Sequence, residues 1–305
     1  MRTNPLDALN RCARRLDFAA LGVVPATAAR YGHLLRAWLE AGFADEMRYM
    51  EVREQARSHP KFVLENVRSV VVLGLPIEAF TPGRNAGFAT LEAGEPIPKG
   101  FGEVARFAGT DYHWVFREKL REMLRWFGEW FPEAKSRAVV DTAPLPEREW
   151  ARRAGLGFVG RNRMLISPRL GSFFLLGEIL TTAELPEYRE FEESQLEAWE
   201  RCCQDCGRCL KACPTGAISD KGVDSRRCIA CLTIEHHGEI APDLRRAMGS
   251  RLYGCDVCQE VCHHNIGRIP TRSILELSQA AVHPAFARAG EAVARNVRIV
   301  QDNQK

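Results

Sequence analysis

A chain of 305 residues has room for one large domain or two ordinary ones, and 46% apolar with 27% charged residues excludes bulk disorder. A net charge of +3 neither requires nor excludes a nucleic-acid partner, so any RNA contact has to come from a local basic patch. Ten of the eleven cysteines lie between Cys202 and Cys262; a secreted disulfide framework explains them poorly, because the chain is long and no secretory signal is expected.

In chain order, the first predicted element is an amphipathic helix with Leu6, Leu9, Ala13 and Leu16 on one face. Cys12 stands apart from the other cysteines and is expected to be a buried, inert thiol. Arg14-Arg15 could begin a twin-arginine leader, but Asp17 follows and the apolar run after it is short and holds Gly22, so no leader is expected. Residues 26–41 are predicted as a helix ending at Gly42. The β-branched run from Ser69 to Gly74 predicts a buried strand, and the Gly- and Pro-rich residues 81–102 a long loop. Asp111 is a predicted N-cap. The helix after it places Tyr112, Val115, Phe116, Leu120, Met123, Leu124 and Phe127 at core spacing. Residues 137–141 are predicted as a strand, 142–146 as a Pro-broken turn, then a helix to Ala154. Gly155, Gly157 and Gly160 match G-x-G-x-x-G. They follow a helix where a dinucleotide site must follow a strand, so close backbone packing is expected there. Residues 172–182 are predicted as a strand, 183–200 as a Glu-rich connector, and those from about Arg268 as helical. No apolar stretch approaches the roughly 18 residues that a membrane helix needs.

The cysteines carry the chemistry. Cys203-x2-Cys206-x2-Cys209-x3-Cys213-Pro214 is the bacterial ferredoxin run. In two-cluster ferredoxins its first three thiolates hold one 4Fe–4S cluster and the fourth holds the other. Cys255-x2-Cys258-x3-Cys262 is a degenerate second copy, whose missing first cysteine is supplied by Cys228 or Cys231. The cross-over logic gives Cys203, Cys206, Cys209 and Cys262 to one cluster. It gives Cys213, Cys255, Cys258 and Cys228 to the other; spacing alone does not choose Cys228 over Cys231. Zinc sites made of four cysteines use two separated pairs instead of an unbroken run. About 200 residues precede the clusters, which points to an enzyme rather than a bare electron carrier.

Along most of its length the sequence resembles the epoxyqueuosine reductase family. The resemblance rests on Gly42-Phe-Ala-Asp-Glu-Met47-Arg-Tyr49-Met50, Arg57 before Pro60, Asp111-Tyr112-His113, Val140-Asp141-Thr-Ala-Pro144, Ala154-Gly-Leu-Gly157 and Gly171-Ser-Phe-Phe-Leu-Leu-Gly177-Glu-Ile-Leu. It continues in Cys213-Pro-Thr-Gly-Ala-Ile218, Asp224-Ser-Arg-Arg-Cys228, Leu232-Thr-Ile-Glu235 and Tyr253-Gly-Cys255-Asp-Val-Cys258-Gln.

The resemblance implies an α+β fold: an N-terminal α/β cobalamin-binding domain (1–190), a ferredoxin-like domain with two 4Fe–4S clusters (191–267) and a C-terminal helical segment (268–305). It implies a cytoplasmic, monomeric enzyme that reduces epoxyqueuosine to queuosine in the tRNA anticodon loop. Electrons from an external donor pass through both clusters to cobalamin. Asp141 is the implied proton donor; a carboxyl at a strand end, screened by a corrin, is expected to hold its proton near neutrality. Arg57, Asp141, Arg163, Leu165 and Leu176 are the implied cobalamin neighbours, the two leucines through their backbone, and Cys228 is the favoured ligand. The sequence departs from the family at Thr110, at Ala230-Cys231 and at His263-His264, and it is short between Leu277 and Ala289. A reductive dehalogenase-like reductase of another small molecule and a non-catalytic electron-transfer protein are the alternatives.

Overall fold

The computed structural model describes residues 4–79, 88–91, 95–109, 111–268, 272–280 and 289–305; Thr110 and residues 281–288 lie outside the described residues. Strands and helices are numbered in chain order. The first sheet has the order β1 (Ala20–Pro25), β2 (Ser69–Pro76), β8 (Phe174–Thr181), β5 (Ser136–Val139) and is antiparallel throughout. Alternate residues of β2 serve two cores, because side chains along a strand point to opposite faces. Val71, Leu73 and Leu75 pack with Leu9, Phe116 and Met123 of α1 (Pro5–Arg15) and α5 (Tyr112–Trp130). Val70 and Val72 pack with Trp150 of α6 (Glu147–Arg153) and with the hairpin β6 (Phe158–Val159)–β7 (Leu165–Ile166). A sheet covered on both faces explains the unbroken apolar run, and each such side chain contributes roughly 1.5–3 kcal/mol on burial.

The first predicted helix and the Asp111-capped helix form as expected; Asp111 Oδ1 accepts the N–H groups of His113 and Trp114. Cys12 is buried, and burial pushes its thiol up. The predicted helix over 26–41 is shorter. Only Gly32–Glu40 (α2) is helical, because Ala26 continues the strand edge against Arg68 and the Glu149 carboxylate captures the N–H groups of Arg30 and Tyr31. Two short helices, α3 (Tyr49–Val52) and α4 (Glu54–Ser58), follow, and none of α2–α4 contributes a buried residue.

The predicted loop over 81–102 and the predicted C-terminal helix need correction. Each supplies strands to a second sheet of order β11 (Arg251–Tyr253), β4 (Phe101–Val104), β12 (Arg272–Glu276), β3 (Phe88–Leu91). These strands are three to five residues long, and their pairing partners lie far away in sequence, so local pattern cannot reveal them. Helices α12 (Leu277–Ala280) and α13 (Gly290–Asn303) pack on this sheet through Val104, Leu252, Leu275 and Val293.

Between β8 and β11 runs the cysteine-rich region: α7 (Glu193–Cys206), α8 (Arg208–Ala212), the hairpin β9 (Ile218–Ser219)–β10 (Gly222–Val223), α9 (Ile229–Ile234) and α10 (Pro242–Met248), with α11 (Val257–Glu260) after β11. The expected connector over 183–200 is cut short, since a capping box at Glu192 with Gln195 starts α7 early.

The glycine loop serves close packing. A Cβ on Gly157 would lie 2.3 Å from the Ile166 carbonyl oxygen across the β6–β7 hairpin. Gly157→Ala is therefore expected to cost about 2 kcal/mol and to lower Tm by several degrees, while Gly32→Ala, with open space around it, leaves Tm unchanged. Equal Tm values for the two variants in a thermal melt would refute this reading of the loop.

Candidate iron–sulfur and proton-donor site

Cys203 and Cys206 sit in the last turns of α7, and Gly207, at φ +61°, lets the chain reverse into α8, which carries Cys209. α8 packs on α11, which brings Cys262 to the first three. Cys209 interacts electrostatically with Cys203 and Cys262, and Cys262 with Cys203 and Cys206. Cys228, the N-cap of α9, interacts with Cys255 and Cys258 at the start of α11. Cys213 follows α8 directly in an extended conformation. Cys231 lies one turn along α9 and donates to Cys228, which holds Cys228 below the usual thiol range and Cys231 above it. On its other side Cys231 meets Ser225 and Glu235.

Backbone N–H groups converge on these sulfurs. Arg161 donates to Cys203, Leu210 to Cys209, Val257 to Cys255, His264 to Cys262, and Ala217 to Cys213 at 3.3 Å. Such donors stabilise negative sulfur, so the donor set fits iron–sulfur ligation. Among the described residues no three His, Cys, Asp or Glu side chains converge closely enough to hold a single metal ion. The departing pair His263-His264 forms the turn after Cys262; the His264 ring meets Phe158 edge-on at 5.3 Å, and burial lowers its pKa to about 4.

Asp141 lies two residues beyond the end of β5, so the strand predicted to reach it stops at Val139. It occupies the left-handed region at φ +53°, which Asp tolerates better than most residues. Its N–H donates to Glu147 Oε1 at 2.6 Å, and its Oδ2 accepts the Tyr112 hydroxyl at 3.1 Å with His113 Nε2 at 3.8 Å. Its side chain is 57% exposed, so the protein alone does not screen it from water; any screening has to come from what binds over it. Burial and the nearby Asp141 push the Tyr112 phenol well above its usual range. Tyr49 of α3, raised to about 12 chiefly by burial, links the cluster side to the acid side: Glu235, Cys231, Asp141 and Arg57 all act on it.

Arg57 Nη2 donates to the Tyr49 carbonyl at 3.5 Å. Arg57 Nε is buried and finds no hydrogen-bond partner among the described residues. Arg163, at φ +62°, reaches the Asp220 carbonyl, and its own carbonyl accepts Arg148 Nη1. Leu165 and Leu176 share one core, and Leu176 pairs with Gly74 in β8. β5 pairs with β8 only from Glu178 onward, so on that side the edge of β8 before Glu178 has no strand neighbour. An open edge, an orphaned guanidinium nitrogen and an exposed carboxyl together fit a flat polar-rimmed cofactor. Two small hollows, of about 270 and 340 Å3, lie against Phe18 and Tyr188 and against Ser69 and Glu187, and contain none of these residues.

Tyr49, Glu178 and Glu235 enter the sequence reading only as parts of the resembling motifs, without a role, and Glu147 is not singled out there. Glu178 had a usable signal: it is the one acid inside a long apolar strand run, where a charge is costly.

A profile described as the 4Fe-4S double cluster binding domain matches residues 202–265, and one described as Epoxyqueuosine reductase QueG matches residues 57–142. The epoxyqueuosine reductase of Synechococcus sp. (strain RCC307) is 38% identical over 265 residues, covering 85% of this chain and 75% of the relative. The chain belongs to the epoxyqueuosine reductase family. Among solved structures of that family, the Streptococcus thermophilus epoxyqueuosine reductase superposes with a TM-score of 0.77 at 25% identity, covering 99% of this chain and 80% of that one. Another, an epoxyqueuosine reductase with a tRNA-Tyr epoxyqueuosine-modified tRNA stem loop, gives 0.78 at 24% identity, covering 98% and 81%. The first profile spans all eight cysteines assigned to clusters; the second runs from Arg57 to just past Asp141.

Two cysteine variants separate ligand from spare. Cys231→Ser is expected to keep close to eight irons per chain after anaerobic reconstitution, and Cys228→Ser to lose about half. The opposite pattern would make Cys231 the ligand.

Proposed function

We infer that this chain reduces epoxyqueuosine to queuosine in tRNA, with cobalamin and two 4Fe–4S clusters as cofactors and Asp141 as proton donor. Family membership supports the reaction. The observation that carries the site is the Asp141 carboxyl, presented to solvent just beyond the end of β5 with its Oδ2 accepting the Tyr112 hydroxyl. Removing the epoxide oxygen consumes two electrons and two protons and releases water. When bound, the clusters supply electrons singly and the corrinoid supplies a low-valent, nucleophilic metal.

The protein's own groups do the rest. Cys203, Cys206, Cys209 and Cys262 hold one cluster, and Cys213, Cys228, Cys255 and Cys258 the other. Arg57, with its buried Nε, and Arg163, Leu165 and Leu176 would hold the corrinoid. The departing oxygen needs a proton as its carbon–oxygen bond breaks, and the Asp141 carboxyl is the group proposed to deliver it. Tyr112 and His113 fix its Oδ2, which leaves the other carboxyl oxygen free to face the substrate.

Residues 1–190 form the cobalamin-binding part, 191–267 the cluster part and 268–305 a closing segment; the second sheet draws strands from all three. No helix among the described residues is long and apolar enough to cross a membrane. A cytoplasmic monomer fed by an external electron donor completes the reading. The alternative substrates gain no observation of their own.

In a host lacking its own epoxyqueuosine reductase and supplied with cobalamin, expression of this chain is expected to convert accumulated epoxyqueuosine to queuosine, read by nucleoside mass spectrometry of tRNA. Asp141→Asn is expected to bind corrinoid normally and to lose about 100-fold or more of turnover. No conversion by a chain loaded with all cofactors would remove epoxyqueuosine as substrate, and near-normal turnover by Asp141→Asn would remove its role as acid.

A further inference from the structure

Glu178 is fully buried in the middle of β8, and among the described residues neither of its carboxyl oxygens meets a donor. The group within its reach is another acid, Glu147, at the start of α6. A fully buried carboxylate facing a half-buried one would be repelled and would leave acceptors unsatisfied, at a cost of roughly several kcal/mol. One proton removes both problems, because a carboxylic acid can donate to the carboxylate opposite. Glu147 also accepts the Asp141 N–H at 2.6 Å, a short bond of the kind an anionic acceptor makes. That bond holds Asp141 in a left-handed conformation that its turn would otherwise leave readily.

We propose that Glu147 and Glu178 share one proton and act as a positioning pair that locks the Asp141 turn, with the charge on Glu147 and the proton on Glu178. The proposal rests on the reading of Asp141 as the acid. Neither glutamate touches the substrate; both act through the backbone of the residue that does. The groups facing Glu147 are Asp141 in the turn, Glu178 in β8, Arg148 in α6, Arg57 in α4 and Tyr112 in α5. Burial and the neighbouring acids raise Glu147 to about 7 and Glu178 well above its usual range, so the folded pair binds its proton more tightly than the unfolded chain does. The step near pH 7 leaves the pair with one proton, on Glu178; only well above neutrality is that proton lost, which sets two anions against each other and releases the turn.

Three measurements on the reconstituted enzyme test this. In infrared spectra at neutral pH, a protonated-carboxyl band is expected that Glu178→Gln removes. Hydrogen exchange of the peptide spanning residues 139–147, corrected for intrinsic rate, is expected to accelerate as pH rises in the parent protein and in Glu147→Ala at every pH. In Glu178→Gln the amide donates to Glu147 without titrating, so exchange stays slow at alkaline pH and the alkaline fall in kcat disappears. Glu178→Leu, which lacks the donor, is expected to lose at least 10-fold in kcat, and Glu178→Gln to recover most of that loss. KM for tRNA and iron content are expected to stay the same in all variants. No such infrared band, equal exchange in Glu147→Ala and parent, or an unchanged alkaline limb in Glu178→Gln would each overturn the pair's role. Infrared and exchange do not use turnover, so they stand or fall separately from the substrate, whose failure would show as no conversion by the parent enzyme.

Discussion

The unequal pairing of β8 is the constraint on which the site depends. β8 is matched to β2 along its full length, from Ser69 opposite Thr181 to Pro76 opposite Phe174. On its other side β5 covers only Glu178 to Thr181. The chain leaves β5 at Val139 and must turn at once. The turn places Asp141 beside the uncovered edge, with α6 starting six residues later to receive it. Had β5 been three residues longer, Asp141 would lie within the sheet, and its carboxyl would point into a core instead of toward an open face.

A second constraint keeps the acid and the cysteines together. The described N-terminal elements are bonded to the cluster region at several separate points. Trp38 Nε1 donates to the Val223 carbonyl, and His236 sits between Asp45 and Glu46. Arg106 forms a buried ion pair with Asp256, the N-cap of α11, between Cys255 and Cys258. Removing one partner of such a pair costs about 3–5 kcal/mol, because the other charge is left buried. From the far end of the chain, Arg295 caps the carbonyls of Leu232 and His236, and Asn296 those of Thr233 and Leu252. α9, which carries Cys231 and follows Cys228, is therefore clamped from both sides. Electron transfer falls steeply with distance, so a rigid frame between the two cysteine groups and the acid has a direct functional use.

The carboxyl groups around Asp141 show how one protein gives chemically identical side chains different tasks. Asp141 is exposed and faces outward; Glu147 is half-buried and faces a backbone N–H; Glu178 is fully buried and faces Glu147. Their differences come from solvent access and from the nearest charge, not from residue type.

The sequence by itself determined the cysteine chemistry, because the spacing within each cysteine run is local, although packing of α8 on α11 is what brings Cys262 to Cys203, Cys206 and Cys209. It determined the core helices through their period, as with Phe116, Met123 and Phe127 in α5, and the close-packed glycines at 155–160. The motif around Asp141 could be read by resemblance. Only the tertiary structure decided where β5 stops, that residues 88–91 and 272–276 are strands, and that Glu178 meets Glu147. Each of these depends on partners dozens to nearly two hundred residues away. A short strand or a single buried acid carries no local pattern that names its partner, and the free energy that fixes it arises only when the two segments meet.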